Sequence, residues 1–133
     1  MALQFSVAVR NARLDATESA VGVTPIMRIR TGAAPANCAA ADTGTVLATL
    51  TLPSDWLAAA SGGTKTLAGT WTDPSADAAG TAAHFRIYDS AGTTCHWQGT
   101  VGTTGTDMIV DNAVFAVAQI FNVTALTLTE GNA

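Results

Sequence analysis

The sequence predicts an all-β fold with one N-terminal helix, an antiparallel β-sandwich or closed roll of about eight short strands. Three observations predict it. Short runs alternate strictly between apolar and polar residues, most clearly in His84 to Gly99 and Thr45 to Leu52. Turn residues punctuate these runs at Asp42-Thr43-Gly44, Ser61-Gly62-Gly63, Asp89 to Gly92, Gly102 to Gly105 and Asp111-Asn112. A long Ala-rich loop follows the first strand, and no βαβ alternation follows it, which argues against a parallel sheet. The length of 133 residues fits one domain over 1–133, with a helix or arm over 1–22 and the sandwich over 23–130.

Ser6 to Val21 favours a helix, with Ser6 as N-cap and Gly22 as the left-handed stop. Val7, Leu14 and Val21 share one thin face, so the helix must gain stability by docking. Its charges oppose the helix dipole, with Arg10 and Arg13 early and Asp15 and Glu18 late. The segment therefore reads either as a plug on the end of the sheet or as a contact arm, from Met1 to Val21, for a partner.

Pro25 opens a strand over Ile26 to Thr31, with Met27 and Ile29 on one face and Arg28 and Arg30 on the other. Gly32 to Gly44 is the long loop. In Thr45 to Leu52, Val46, Ala48, Leu50 and Leu52 point inward, and Leu47, Thr49 and Thr51 outward. Pro53 ends that strand before a turn that carries Trp56, expected to be exposed. Thr64 to Thr72 follows as a strand with Leu67, Gly69 and Trp71 on one side, then a loop over Asp73 to Gly80. Met108 to Val110, Val114 to Val117 and Phe121 to Thr129 are the last strands, and the tail from Glu130 is expected to fray.

The clearest element is the hairpin His84 to Gly99. Phe85, Ile87, Cys95 and Trp97 are assigned to the core face, and His84, Arg86, His96 and Gln98 to the outer face. A type I turn from Asp89 with left-handed Gly92 pairs Asp89 with Thr93, Ile87 with Cys95, Phe85 with Trp97 and Arg86 with His96. The core is expected at Phe85, Ile87, Trp97, Trp71, Leu50, Leu126 and Leu128.

Hydrophobic residues make up 48% of the chain and charged residues 12%, so Thr, Ser, Ala and Gly must cover much of the surface. The net charge is -4 and no basic run occurs, which gives no footprint for nucleic acid. The start has no basic region ahead of its apolar stretch, so a secretory signal is not expected and a cytosol-like compartment is. No apolar run approaches the ~20 residues that span a bilayer. Asn122-Val123-Thr124 then matches a glycosylation acceptor by chance. Cys38 and Cys95 have neither a metal-knuckle nor a CxxC spacing; whether they meet as a disulfide is left open by the sequence.

No motif announces a reaction. His84 and His96 would be diagonal neighbours on the outer face, but Arg86 lies between them and no acidic residue has the parity of a third ligand. No GxSxG elbow accompanies any serine. Asp73, Asp77, Asp107 and Asp111 all stand where turns and strand ends ordinarily place Asp. The expectation is a protein without catalytic residues, metal or cofactor.

Several segments in fixed order carry a resemblance: RNARLDATESAVG (Arg10 to Gly22), Arg28 to Gly32, VLATLTLPSDW (Val46 to Trp56), GTWTD (Gly69 to Asp73), HFRIYDSAGTT (His84 to Thr94), a QGTVG strand, and ALTLTEGNA at the end. Taken end to end, the chain resembles a family of small tailed-phage virion proteins, in function closest to the jelly-roll cement (decoration) proteins of the kind found on the capsid of a short-tailed Bordetella phage. The resemblance implies a jelly roll that binds the outside of the major capsid protein shell and bridges neighbouring subunits. It also implies copies of itself as partners, in a dimer or trimer, a place on the virion exterior after assembly in the bacterial cytoplasm, and no nucleic-acid or membrane contact. Alternatives are a tail or adhesin module that binds a host-surface glycan, and a head–tail accessory subunit. The candidate contact residues are Phe5, Arg10 and Arg13 of the arm, and Val114, Phe115 and Phe121 of the apolar stretch near the end. His96-Trp97 and the apolar stretch Phe115 to Phe121 are where the chain departs most from that family.

Overall fold

The computed structural model describes residues 2–133; of the predicted arm, Met1 lies outside the described residues. The chain runs α1 (Val7–Val21), β1 (Ile26–Arg30), β2 (Val46–Thr51), β3 (Thr64–Thr66), β4 (Thr72–Asp73), β5 (Gly80–Thr81), β6 (His84–Tyr88), β7 (Cys95–Gly102), β8 (Met108–Val110), β9 (Val114–Phe115) and β10 (Phe121–Thr129). The fold is all-β with one N-terminal helix. A curled eight-stranded sheet has the order β2-β1-β6-β7-β8-β10-β3, with β4 paired to β10, and β5 and β9 form a small second sheet. All named pairs are antiparallel except β7 with β8. That parallel pair departs from the all-antiparallel expectation.

The helix begins and ends where its caps require. Ser6 Oγ accepts the N–H of Val9 at 3.3 Å, and Gly22, at φ 94°, returns its N–H to Glu18 O at 3.0 Å. Only Leu14 and Val21 are buried, so apolar packing alone does not hold it. The core lies on the inner face of the sheet, around Met27, Ile29, Leu50, Trp56, Trp71, Phe85, Ile87 and Phe121. Of the predicted core, Phe85, Ile87, Trp71, Leu50 and Leu126 are buried, while Trp97 and Leu128 are half-buried and pack on its rim.

The hairpin register differs from expectation. Tyr88 pairs with Cys95, then Ile87 with Trp97, Arg86 with Gln98 and Phe85 with Gly99. Two displacements of one residue add up. The turn takes an extra residue, because Asp89 N–H donates to Thr94 O at 3.0 Å and Asp89 Oδ1 accepts from Thr93 N at 2.9 Å. A bulge at His96 supplies the second. Beyond the bulge the parity is restored, so Phe85, Ile87 and Trp97 keep the inner side. Before it, Cys95 is turned to the outer face, opposite Tyr88. Gly99 permits this register: a Cβ there would lie 2.8 Å from Phe85 Cε1.

Other expectations fail because a second layer covers what a lone sheet would expose. Leu47 is fully buried rather than outward, since segment 76–80 packs on it and Asp77 N–H donates to Leu47 O at 2.7 Å. Trp56 is fully buried and donates its Nε1–H to Gly22 O at 3.0 Å, because the end of the helix closes over it. The run Thr64 to Thr72 is broken at Gly69, whose φ of 70° takes it out of the strand beside Pro53. The tail is pinned: Glu130 N–H donates to Gly63 O at 2.9 Å, and Phe5 N–H donates to Asn132 O at 2.6 Å.

Candidate functional site

The outer face of β1 and β6 was expected to meet solvent, yet every residue of β6 is buried. Loop 32–44 lies across it. Asp42 is the loop's central group. Its carboxylate pairs with Arg30 at 2.8 Å and with Arg86, and accepts the Tyr88 hydroxyl at 2.6 Å. Arg86 also donates to the carbonyls of Ala40 at 3.1 Å and Cys38 at 2.8 Å. His84 Nδ1 donates to Gly32 O at 2.7 Å, and Gln98 Nε2 to Pro35 O at 2.7 Å. Arg28 stacks over the Tyr88 ring at 4.6 Å and donates to Gly92 O at 3.1 Å. Burial works to raise the Asp42 carboxyl, but the hydrogen bonds from Tyr88 and Arg86 and the charges of Arg30 and Arg86 outweigh it and hold it below the usual range. Burial, and then the bond to Asp42, push the Tyr88 hydroxyl up.

A second buried charge fastens the helix. Lys65, on β3, is 2% exposed, and its ammonium lies 2.6 Å from Asp15 and 2.9 Å from Glu18. The same two side chains cap β-segment amides: Asp15 Oδ1 accepts from Ala60 N at 3.0 Å, and Glu18 Oε1 from Leu57 N at 3.2 Å. Asn11 Oδ1 accepts from Gly63 N at 2.9 Å. The late acidic residues that oppose the dipole are thus placed to meet Lys65.

The two histidines do not share a face. His84 is buried under the loop, and His96 stands exposed on the bulge. Among the described residues no three His, Cys, Asp or Glu side chains converge as a metal would require. The four aspartates that might have paired serve structural bonds: Asp73 Oδ1 accepts from Ser75 N, Asp77 Oδ2 from Thr49 Oγ1, Asp107 Oδ2 from Thr100 N, and Asp111 Oδ1 from Asn122 N.

The predicted contact residues divide. Phe5 sits under the Arg13 guanidinium at 5.0 Å, Arg13 pairs with Glu130 at 3.0 Å, and Arg10 donates to Glu130 O at 3.4 Å. These arginines therefore find a carboxylate and a carbonyl in their own chain. Phe115 and Phe121 are buried with rings 4.7 Å apart, so they anchor the stretch from below and offer no surface. The exposed groups are Val114, Val117 and Ile120, at 63%, 66% and 64%. Sequence reasoning pointed to the stretch Val114 to Phe121 but singled out Val114, Phe115 and Phe121 within it rather than Val117 and Ile120.

A cleft of about 510 Å³ opens beside β7, lined by Phe85, His96, Trp97, Gln98, Asp107 and Leu126 among others. The Trp97 ring lies 5.0 Å from Trp56, and the buried Gln98 Oε1 has no hydrogen-bond partner among the described residues. No family model, curated protein or solved structure matches the chain. No helix among the described residues is long and apolar enough to cross a membrane.

Proposed function

We propose that this chain is a structural subunit of a phage head, a decoration protein that binds the outer surface of the major capsid protein shell, associates with copies of itself and bridges neighbouring subunits. The observation that carries the reading is the exposed trio Val114, Val117 and Ile120, on and to either side of the turn 116–119, with the buried Phe115–Phe121 pair anchoring its flanks. Large apolar side chains grouped on a rigid support and left in water favour a protein partner. The ordered resemblance from Arg10 to the terminal ALTLTEGNA supplies the class of partner. The use of Asp42, Lys65 and the aspartates in structural bonds agrees with a mechanical role. Weak contacts of this size, repeated over a symmetric shell, gain avidity by multivalency.

The test is decoration of purified empty shells. Wild-type protein should bind in a fixed ratio to the capsid subunit. Val117→Asp with Ile120→Asp should keep the circular dichroism of the folded chain and lose at least tenfold in affinity. Undiminished binding by that variant would move the contact elsewhere. The cleft beside Trp97, with an aromatic ring and amide and carboxylate groups at its edge, favours a second reading as a tail or adhesin module for a host-surface glycan. Copy number separates the two: a decoration protein is present in proportion to the shell, and a tail module in only a few copies.

A further inference from the structure

Cys38 and Cys95 are 57 residues apart in sequence, by subtraction of their numbers, yet meet over the outer face of the hairpin. Both are free, both are half-buried, and both line one cavity of about 280 Å³ with Asp42, Arg86 and Tyr88. The Cys95 thiol donates to Trp97 O at 3.2 Å, and Cys38 is its neighbour across that cavity. Two features bring them together. The extra residue in the turn sets Cys95 opposite Tyr88 on the outer face, and the bulge at His96 then returns Trp97 to the inner side. Arg86 holds the loop that carries the other partner, donating to Cys38 O at 2.8 Å and to Asn37 O at 3.3 Å. Without the extra turn residue Cys95 would lie opposite Ile87, away from loop 32–44.

We infer that Cys38 and Cys95 are a modification site: they oxidise to an intrachain disulfide that locks loop 32–44 covalently over β6 and β7. The inference is independent of the decoration reading. The oxidant is a low-molecular-mass disulfide. One cysteine thiolate attacks a sulfur of the reagent and expels one small thiol; the other cysteine thiolate then attacks the mixed disulfide and expels the second. One protein S–S bond forms and one reagent S–S bond breaks. The two electrons and two protons lost by the cysteines appear in the two released thiols. Burial pushes the Cys95 thiol up to about 11, and the neighbouring Cys38 thiol acts in the same direction against the nearby Arg86 charge. The Cys95 thiolate is therefore scarce at neutral pH and grows as the pH rises.

The experiment uses the full chain, folded, with oxidised glutathione as the reagent. Intact mass should show the loss of two hydrogens and no added glutathione, with the chain monomeric in its covalent state on a non-reducing gel. Cys38→Ser and Cys95→Ser should each take up one glutathione instead. The oxidised wild type should melt about 10 °C above the reduced form, because the bond closes a long loop in the unfolded chain, and a reductant should reverse the shift. Proteolysis within 32–44 should slow on oxidation, a readout that needs neither variant to fold. Two glutathiones on the wild type, a disulfide-linked dimer, or two thiols that stay free under this treatment would each overturn the inference.

Discussion

Loop 32–44 and helix α1 are both fastened to the sheet by buried charge, and they do so with opposite arrangements. At the loop, one carboxylate, Asp42, serves two guanidinium groups and a phenol. At the helix, one ammonium, Lys65, serves two carboxylates. The buried side is the same in both, and the difference lies in how many cations share the anion. Arg86 and Lys65 are 1% and 2% exposed in their side chains, whereas Asp42 keeps 36% and Asp15 50%. In both clamps the cation sits in the sheet and the anion arrives on the added segment. The loop clamp leaves two cations in the sheet if its anion is lost. The helix clamp leaves only one. Burying a charge without its counterion is what costs most, so the two clamps should fail unequally.

The largest effect is expected from removing a whole segment. A chain that begins at Val23 lacks Asp15, Glu18, Leu14 and Val21, and leaves Lys65 without its counterions and Trp56 without its carbonyl acceptor. Reading the segment as a contact arm for a partner implies that such a truncation stays folded. The structure predicts instead the loss of a sharp urea transition, read by circular dichroism. A truncated chain that unfolds cooperatively near the wild-type midpoint would show that the helix clamp contributes little.

Next come the central charges themselves. Asp42→Ala strands Arg30 and Arg86 beneath the loop and should cost about 3 kcal/mol, the low end for a broken buried pair because Asp42 retains an edge in water. Lys65→Met keeps the buried stem and frees Asp15 and Glu18 to regain water, so it should cost clearly less. Urea midpoints of the two variants measure the contrast. Equal losses would break it.

The clamps should also separate by pH. Asp42 is held below its usual value of 3.8, so its contribution is full above that value and is lost as the pH falls through the depressed one. Asp15, lowered first by its hydrogen bond from Lys65, behaves the same way. Lys65 is opposed by burial, but the bonds from Asp15 and Glu18 raise it above 10.5, so its contribution is full below 10.5 and is lost as the pH rises through the raised value. Tyr88, also raised, adds to that alkaline loss. Stability measured against pH should therefore fall at both ends. Asp42→Asn should flatten the acid limb, and Lys65→Met should reduce the alkaline one. An alkaline limb untouched by Lys65→Met would assign that limb to Tyr88 and the Cys95 thiol, which are raised as well.

Much of this was legible before the structure, and the failures share a cause. Ser6, Gly22, the Met27/Ile29 face and the Phe85/Ile87 face follow from local rules, since caps and alternation depend on neighbours in sequence. What covers the outer face does not. Arg28 lies directly opposite Arg86 across β1 and β6, and like charges so placed demand an anion. Only the strand pairing reveals that demand, and only then does Asp42 in the loop become its answer. Lys65 gave a fainter sign: it is the chain's sole lysine, in the middle position of Thr64-Lys65-Thr66, with its alternation inward. The extra turn residue and the bulge at His96 had no local signal, and with them the outer position of Cys95 beside loop 32–44 was hidden. Phe115 and Phe121, read as a surface, belong to the core because β9 and β10 turn them under the exposed Val114.

The finest distinction concerns Tyr88. Tyr88→Phe removes a single donor to Asp42 and keeps the ring on which Arg28 stacks. The packing and the cation–π contact should survive, so the change isolates one hydrogen bond to a charged acceptor. Its loss should cost about 1.5 kcal/mol, smaller than the loss of Asp42 itself because Arg30 and Arg86 still neutralise the carboxylate. It should also let the Asp42 carboxyl rise toward its ordinary value, since the Tyr88 bond is the first of the groups that lower it. The acid limb of the stability curve would then begin at a higher pH than in the wild type. A variant with the same midpoint and the same acid limb would mean that the two arginines alone hold the loop, and that the third member of the cluster is incidental.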